Sequence, residues 1–526
     1  MTRYGQLRIG IDVGGTNTDA ALLDGASILA SCKTPTTEDV TAGIRIALRQ
    51  VMNAAAVERT AVGAVMIGTT HFTNAVVERR GLARVAAIRL GLPAATALPP
   101  LTDWPDDLAA AVDGGCYMFG GGHEYDGRPI EKIDLAALER IACTLAADSR
   151  HDIEVTAIFS PLYATGENQT AELLKSVDSR FRVTRSHELG RLGILERENA
   201  AILNAALRPL AARTTAAFRR ALAEEHIDAP LYISQNDGTV AHVDVVERFP
   251  VSTFSAGPTN SMRGAAILTG VDDAIVIDIG GTTSDVGMLL GGFPREAPVA
   301  TQLGGVRTNL RMPDIVSVGL GGGSIVRDGG ESIGPDSVGF RLRERALVFG
   351  GDTLTATDIA VAAGRSQIGD PARVKDLDSN VVTRALHRMS EILDDAVDRV
   401  RTSRGSSTVI LVGGGAVLID ADQLSGADIR CPDHAGVANA VGAASAQVAG
   451  ECDHIYAYTR TPRAEALRQA QALAIARAVD AGAEPGSVEI VDSDETPLSY
   501  LPNEAMRVRV KAVGRLIIAA GDGELK

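Results

Sequence analysis

The chain has 526 residues, 45% hydrophobic and 22% charged, which is enough apolar material for more than one core and excludes whole-chain disorder. Its 51 basic and 66 acidic residues give a net charge of −15 with no basic run, which argues against a nucleic-acid partner. The 55 glycines form short clusters without a three-residue period, which excludes collagen and indicates tight turns.

Short apolar runs alternate with longer helical patterns along most of the chain. The patterns predict, in chain order, strands over 7–13, 20–23, 62–68 and 84–90, and helices over 39–56, 71–80, 134–147 and 196–225. Residues 91–130, rich in Pro and Gly, are predicted to form an insertion or a lid-like loop region. This alternation predicts an α/β fold with a largely buried sheet.

The tail after residue 451 differs in its residue pattern from the preceding chain. It predicts a helix over 461–481 and strands over 487–491 and 506–512. Two arrangements remain open for this segment, a small α+β appendage or a cap packed on the second half of the chain.

The cysteines, the histidines and the N-terminal sequence restrict the cellular compartment and the kind of catalytic or metal site. Five scattered cysteines without a C-x-x-C pair indicate reduced thiols, and the N-terminal sequence has no secretion signal. The most apolar stretches are too short to span a bilayer, so we expect a cytoplasmic protein with no membrane contact. The histidines lack the spacing of a zinc site, and no Ser–His–Asp or Cys–His constellation can be recognised.

One segment of the chain occurs twice. Residues 11–23 read IDVGGTNTDAALL and residues 277–289 read IDIGGTTSDVGML, with seven of thirteen positions identical. The copies lie 266 residues apart, which is too long a period for a solenoid repeat. The match therefore predicts two similar domains, each opening with a strand, a turn and a strand.

The turn of each copy carries residue types that fit a phosphate and a metal ion. Two glycines leave the turn without side chains, so that its N–H groups can point at an anion, and the following polar residues add donors. A carboxylate at the strand end can hold Mg²⁺, directly or through water. The candidate residues are Asp12, Gly14, Gly15, Thr16 and Asn17 in the first copy and Asp278, Gly280, Gly281, Thr282 and Thr283 in the second. The alternative is a pair of ordinary hairpins, but two copies in register favour phosphate.

Two further glycine clusters follow strand-like segments. Gly413, Gly414 and Gly415 end a β-branched strand, where bare backbone fits a flat adenosine; a plain strand-to-helix turn is the alternative. Gly322 and Gly323 belong to a cluster for which the same two interpretations compete evenly. Neither cluster has the pattern of a P-loop or of a dinucleotide-binding fingerprint.

A polar segment lies at a predicted strand-to-helix junction. Thr69, Thr70, His71 and Asn74 are candidates for contact with a carbonyl or amide substrate, because exposed helix N–H groups can serve an oxyanion. The alternative is that Thr69 or Thr70 only caps the helix.

An ordered set of motifs connects the chain to a known family. The motifs are IGIDVGGTNTDAALLD at 9–24, IGTTHFTNAVVERRG at 67–81, NDGTV at 236–240, PVSTFSAGPTNSMRGAA at 250–266, VIDIGGTTSDVGML at 276–289, VSVGLGGGSI at 316–325 and ANAVGAA at 438–444. With these motifs the chain resembles the hydantoinase A/5-oxoprolinase A-subunit family, in the sugar-kinase/Hsp70/actin group of ATPases.

The resemblance implies two duplicated actin-like (RNase H-like) ATPase domains around an ATP cleft, with a small C-terminal α+β appendage. The predicted boundaries are residues 1–195, 196–450 and 451–526. The implied activity is ATP-dependent opening of a cyclic amide of hydantoin, 5-oxoproline or lactam type, with ATP and Mg²⁺ as cofactors. Phosphorylation would turn the amide oxygen into a leaving group that water can displace.

Roles for the paired aspartates follow from this chemistry. Asp12 and Asp278 are the predicted metal ligands. Asp19 and Asp285 are candidates for the base that activates water, and plain turn-stabilising carboxylates are the alternative.

Two departures from the family keep other functions open. The chain has GGTNTD where the family usually has GGTFTD, and IGTT where the family usually has HGTT. Asn17 suggests a small-molecule kinase of the sugar-kinase type; an ATP-dependent ketone carboxylase subunit and a regulatory ATPase are further alternatives. The resemblance implies a partner as well, because 5-oxoprolinase-type enzymes pair an A part with a B part, fused or as another subunit. Since the tail is too short for a second catalytic domain, we expect a separate hydantoinase B-like or other partner subunit, and an oligomer.

Overall fold

The computed structural model describes residues 7–14, 17–35, 40–297, 301–402, 407–419, 424, 427–445, 447–499 and 504–518. The strands up to residue 255 are β1 (Leu7–Val13), β2 (Asn17–Asp24), β3 (Ser27–Pro35), β4 (Val62–Thr69), β5 (Val85–Leu92), β6 (Asp113–Gly120), β7 (Asp152–Ala157), β8 (Arg182–Arg185), β9 (Leu231–Ser234) and β10 (Val240–His242). The α-helices of the same part are α1 (Val40–Ala55), α2 (His71–Glu78), α3 (Asp106–Val112), α4 (Leu135–Ala147), α5 (Thr165–Val177), α6 (Ile194–Glu224) and α7 (Val243–Arg248).

The part from residue 256 to 445 contains the second copy of the repeat. Its strands are β11 (Ala274–Ile279), β12 (Ser284–Leu290), β13 (Phe293–Pro294), β14 (Thr301–Leu303), β15 (Val306–Thr308), β16 (Ile315–Val318), β17 (Ser324–Arg327), β18 (Ser332–Ser337), β19 (Ser407–Val412) and β20 (Ala427–Arg430). Its α-helices are α8 (Ala256–Thr269), α9 (Leu342–Arg345), α10 (Ala356–Ala362), α11 (Ser379–Val400) and α12 (Ala438–Ala443). The tail contains β21 (Gln447–Ala457), α13 (Arg463–Asp480), β22 (Glu489–Pro497) and β23 (Ala505–Arg515).

The first six-stranded sheet has the order β10-β9-β4-β1-β2-β3. Its central strands β1 and β4 are almost fully buried, as their continuous apolar runs predict. On one face, side chains of α1 and α6 complete a core with β1 and β4. This core also contains apolar residues of α6, β9 and the chain as far as Phe254, together with Leu303 and Val306. The first unit therefore extends past residue 195, where the sequence predicted its end.

A four-stranded parallel sheet of order β6-β5-β7-β8 is attached to the first unit, with α4 and α5 packed on it. Of the two alternatives for 91–130, an insertion or a lid-like loop, the loop is wrong, because this segment contains α3 and β6, and β6 pairs with β5 along its length. Three of the eight residues of β6 are glycines, which gave this strand the appearance of a loop. β6 completes the small sheet.

The second unit repeats the core of the first. Its main sheet has the order β13-β12-β11-β19-β20, with β16 also paired to β12. In both units the Asp-bearing strand pairs antiparallel with the next strand and parallel with a later buried one, β1 with β2 and β4, β11 with β12 and β19. The structure confirms that the sequence repeat is a repeat of the fold.

Two helices rich in small residues cross in close contact between the units. A Cβ added at Gly264 of α8 would lie 1.8 Å from the Ala438 carbonyl oxygen of α12, and one added at Gly442 would lie 1.8 Å from the Asn260 carbonyl oxygen. α12 also lies against β1, where a Cβ at Gly10 would be 2.0 Å from the Ala440 oxygen. These glycines allow the helices to reach the carboxyl ends of the central strands.

The tail forms an α+β unit in which α13 packs on a sheet of order β21-β23-β22. Its core includes Ala64, Met66, Tyr232 and Val240, which belong to the sheet of the first unit. The sequence left the position of the tail open, and the structure places it on the first unit. Among the described helices, none combines the length and apolarity needed to cross a bilayer.

Candidate active site

The two glycine turns of the repeat share one backbone hydrogen bond. The Gly14 N–H donates to the Asn17 carbonyl oxygen at 3.0 Å, and the Gly280 N–H donates to the Thr283 carbonyl oxygen at 2.9 Å. A Cβ at either glycine would lie 3.1 Å from the same acceptor oxygen. The predicted residues Gly15 and Thr16 lie outside the described residues.

The second turn is open toward its surroundings. Gly281, Thr282 and Thr283 are exposed, and a Cβ at Gly281 would meet no atom within 4 Å. Their backbone and hydroxyl donors are therefore accessible to an anion, which is the arrangement that a phosphate contact requires.

The aspartates of each hairpin lie opposite one another across the strands. Asp12 pairs in register with Asp19, and Asp278 with Asp285. Burial raises the pKa of Asp19, and the nearby charge of Lys33 partly offsets this increase. Burial also raises the pKa of Asp285, whose carboxylate accepts a hydrogen bond from the Ser317 hydroxyl. These partners hold Asp19 and Asp285 in place, and their role as bases stays a prediction.

A glycine on the neighbouring parallel strand makes room for each metal-ligand candidate. A Cβ at Gly68, which pairs with Asp12, would lie 2.4 Å from the Asp12 Oδ1 atom. A Cβ at Gly413, which directly follows the partner of Asp278 on β19, would lie 2.2 Å from the Asp278 Oδ1 atom. The same steric solution thus occurs in both units, and it fixes the carboxylates at the strand ends.

Side chains from α8 and α12 bind both carboxylates. The Asn439 Nδ2 atom donates to Asp12 Oδ2 at 2.9 Å, and the Asn260 Nδ2 atom donates to Asp12 Oδ1 at 3.4 Å. The hydroxyl of Ser261, the next residue on α8, donates to Asp278. One helix therefore connects the two aspartates. Asn260, Ser261 and Asn439 lie in the motifs at 250–266 and 438–444, which the sequence related only to the family. Their polar side chains among small residues are the sequence signal that could have identified them as site residues.

Burial dominates the electrostatics of the pair. It raises the pKa of Asp12 to about 6, with a further increase from Asp19, and it raises the pKa of Asp278 to about 6 against the lowering effect of Ser261. The charge of Asp278 also contributes to the raised pKa of Asp12, so the two turns face each other closely enough to interact. A bound cation would offset this accumulation of negative charge.

Lys33 is a site residue that the sequence analysis missed. Its Nζ atom lies 2.8 Å from Asp19 Oδ2, and it lies 3.9 Å from the position that a Cβ at Gly414 would take. Its charge also lowers the pKa of Asp278. Lys33 therefore spans from the first unit to the glycine cluster of the second, where its ammonium group can serve an anion. It has no motif of its own, so only the pairing of β3 with β2 reveals it.

In the glycine cluster at 413–415, one glycine is exposed and the N–H groups of the other two are bound within the protein. Gly414 is exposed, whereas the N–H groups of Gly413 and Gly415 donate to Ala435 and Ile279 carbonyl oxygens at 2.9 and 2.8 Å. Of these three glycines, Gly414 thus has the accessible backbone that the sequence predicted, whereas Gly413 and Gly415 hold the cluster against β11.

Gly322 and Gly323 are buried, which favours the plain-turn interpretation of this cluster, and their contact with the cofactor stays a prediction. The N–H of Gly322 donates to the Gly280 carbonyl oxygen at 3.0 Å, and the N–H of Gly323 donates to the Gly281 carbonyl oxygen at 2.7 Å. Both donors are used to support the second turn from behind. Their function is to hold the backbone that faces the cleft.

The polar junction of β4 and α2 lies at the same edge of the sheet as Asp12. Thr69 is buried, and its hydroxyl accepts a hydrogen bond from the His71 N–H at 3.2 Å, so it supports the start of α2. Asn74 is exposed and donates to the Thr70 hydroxyl at 3.4 Å. His71 is half-buried, and burial lowers its pKa. Thr70, His71 and Asn74 remain candidates for substrate contact.

The residues present fit Mg²⁺ held together with phosphates. Among the described residues no group of three or more His, Cys, Asp or Glu side chains could hold a metal ion unaided. Mg²⁺ is usually bound by one or two carboxylates plus substrate phosphates and water, and two buried carboxylates beside open donors provide such a set. Asp12 and Asp278 are the residues that would hold it, and the cation would neutralise phosphate charge.

Comparison with known proteins places this chain in a family. The model of the hydantoinase/oxoprolinase N-terminal region matches residues 8–178, and the hydantoinase/oxoprolinase model matches residues 197–370, together more than half of the chain. The chain is 25% identical over 398 residues to the caprolactamase subunit alpha of Pseudomonas jessenii, covering 68% of this chain and 54% of that protein. It is 25% identical over 393 residues to the acetophenone carboxylase gamma subunit of Aromatoleum aromaticum, covering 68% and 53%.

Two solved structures share the fold over nearly the whole chain. The ATP-dependent caprolactamase from Pseudomonas jessenii matches with a TM-score of 0.76 at 19% identity, covering 99% of this chain and 89% of that one. Nucleotide-free acetone carboxylase matches with a TM-score of 0.68 at 17% identity, covering 97% and 88%. The chain spans about half the length of the curated relatives it matches. With its duplicated actin-like α/β units and its C-terminal α+β unit, the chain belongs to the hydantoinase/oxoprolinase family.

Proposed function

We propose that this chain is the ATP-binding part of an ATP-dependent enzyme that opens cyclic amides. The observation that carries the proposal is the pair of equivalent turns, each with a buried carboxylate, interacting across the space between the units. Such a pair can clamp the phosphates of one nucleotide from both sides. Family membership and the caprolactamase relative support a cyclic amide as the substrate.

The chemistry needs positioned charges more than a protein nucleophile. An unstrained amide carbonyl is a poor electrophile, and transfer of the γ-phosphoryl group from ATP to its oxygen makes the carbon electrophilic and releases ADP. One water adds to this carbon, and the ring C–N bond breaks as the nitrogen takes a proton and leaves as the amine. A second water then displaces phosphate from the resulting acyl phosphate by breaking its C–O bond. Open backbone at Gly281 and Gly414 and the ammonium group of Lys33 would orient the phosphates. Thr70 and His71, at the same sheet edge as Asp12, would bind the amide.

The proposal includes a partner protein. The caprolactamase and acetophenone carboxylase relatives are both named as subunits, and within the described part of this chain we find no clear hydrolytic group besides Asp19 and Asp285. A second candidate function is activation of a ketone for carboxylation, which the acetophenone carboxylase relative and the acetone carboxylase fold favour.

The test is a screen of cyclic amides, and of ketones with bicarbonate, for stimulated ADP release. With an amide labelled with ¹⁸O at the carbonyl we expect the label in inorganic phosphate, because the carbon–oxygen bond that carries the phosphoryl group breaks. If hydrolysis needs a partner, ATP labelled at the β,γ-bridge oxygen should still scramble its label when the amide is present. Asp24→Asn, at an exposed position on the same hairpin as Asp12, is the matched control for Asp12→Asn.

Each rival function has a distinct result. A stable phosphorylated product would identify a kinase, and slow ADP release that no amide or ketone changes would identify a regulatory ATPase. Either result would contradict the proposal. Bicarbonate-dependent turnover with a ketone would select the carboxylase candidate.

A further inference from the structure

A cavity of about 530 Å³ lies where the first unit, the loop after β15 and the C-terminal unit meet. It is lined by the β9–β10 turn at Gln235–Asp237, by Asn309–Arg311 and by the edge strand β21. β9 runs parallel to β4, with Ile233 opposite Ile67, so this turn leaves the sheet at the edge that carries Asp12. The volume lies in the range that small organic ligands occupy.

Arginine side chains converge on this cavity, and most of them are paired. Of the arginines that line the cavity, Arg311 forms an ion pair with Glu451 at 2.5 Å and Arg507 donates from Nε to Asp453 at 2.7 Å. Arg509, which does not line the cavity itself, lies 2.6 Å from Glu296. Each of these guanidinium groups therefore has a carboxylate at hydrogen-bond distance.

Arg191 differs from the others. Its nearest carboxylate oxygens belong to Asp453, at 3.7 Å, and to Glu296, at 3.9 Å, and both carboxylates are already bound by Arg507 and Arg509. Within the described part of the chain no hydrogen bond from the Arg191 guanidinium is found, although its side chain is only 29% exposed. Burial, with Arg311 and Arg507 nearby, lowers the pKa of Arg191 to about 10. An additional anion in the cavity would stabilise the charged form of Arg191 and raise its pKa again.

From the free donors of Arg191 and the shape of the cavity we propose that this site binds a small molecule through a single carboxylate group. A guanidinium presents two parallel N–H donors that match a carboxylate, which explains the preference for this anion. Glu451 and Asp453 also line the cavity and disfavour a polyphosphate. Apolar wall residues such as Leu162 and Val251 fit the carbon body of the ligand.

Calorimetric titration of the full chain without nucleotide tests the site, and two acid–amide pairs serve as probes. The first pair is 2-pyrrolidone-5-carboxylate and its carboxamide, and the second is propionate and propionamide. We expect at least one acid to bind about tenfold tighter than its amide. Arg191→Gln should remove this preference and Arg191→Lys should retain part of it. Arg220→Gln, at an exposed position on α6, is the matched control.

The two pairs distinguish the source of the carboxylate. A preference shown by propionate as well indicates a separate carboxylate ligand, whereas a preference confined to the ring acid indicates a carboxylate on the substrate, which rests on the proposed function. Equal affinity of acid and amide in both pairs, or an unchanged preference in Arg191→Gln, would overturn the site. Because no nucleotide is present, failure of phosphoryl transfer would not produce either result, and the wild-type comparison stands even if a variant does not fold.

Discussion

Replacing Asp12 by Asn should stabilise the protein at neutral pH while abolishing its ATP turnover. Burial, and then the charge of Asp19, raises the pKa of Asp12 from 3.8 to about 6. One pKa unit corresponds to about 1.4 kcal/mol, so ionised Asp12 lowers the free energy of unfolding by about 3 kcal/mol above pH 6. The sign follows from the raised pKa: the stability is fully present below pH 3.8 and is lost as the pH rises through 6.

The substitution also has a cost in hydrogen bonds. An Asn side chain retains one acceptor for the Asn439 amide at 2.9 Å but loses the second acceptor, now bound at 3.4 Å by Asn260, which costs about 1 kcal/mol. The net prediction for Asp12→Asn is a gain of about 2 kcal/mol at pH 8 and a loss of about 1 kcal/mol near pH 4.

Urea unfolding at several pH values measures this difference. Trp104 is the sole tryptophan and is buried in the first unit, so its fluorescence reports the unfolding of that unit. Mg²⁺–ADP should stabilise the wild type and not Asp12→Asn, because only the ionised carboxylate holds the cation. Asp24→Asn should show neither effect. A variant that is no more stable than the wild type at pH 8, or a difference that does not change with pH, would refute the reasoning.

Three further predictions concern the second turn, its neighbour and the partner. Gly413→Ala should lower nucleotide affinity about tenfold or more in calorimetry, because its Cβ would lie 2.2 Å from Asp278 Oδ1 at a φ of +87°; Gly436→Ala, with open space around its Cβ, should not. Gly281→Val should leave the fold intact, as judged by circular dichroism, and weaken nucleotide binding, since its side chain would fill the space before the turn; unaltered affinity would count against the phosphate clamp. The purified chain should bind Mg²⁺–ATP without completing ring opening, and stoichiometric hydrolysis by the isolated chain would contradict the need for a partner.

The local sequence pattern was sufficient to predict the strands and turns that carry the candidate site. β1 begins and ends at the residues that its apolar run predicted, because a strand buried on both faces leaves a continuous apolar sequence between turn residues. The repeat at 277–289 predicted the second hairpin, since identical Asp and Gly positions impose the same turn. The ordered motifs also identified the family. All these features depend on neighbours in the chain.

Tertiary structure decided which residues surround the aspartates. Asn260 and Asn439 reach Asp12 from positions 248 and 427 residues away, and the pattern of a helix does not specify which distant carboxylate its amides will meet. The same holds for Gly322, for which the sequence left a nucleotide contact and a plain turn equally open, and whose N–H donates to the Gly280 carbonyl oxygen. A glycine motif predicts accessible backbone, but only packing determines whether that backbone faces a ligand or another strand. Lys33 lies beside Asp19 because β3 pairs with β2, and Arg191 lacks a close partner because three distant segments converge on its cavity.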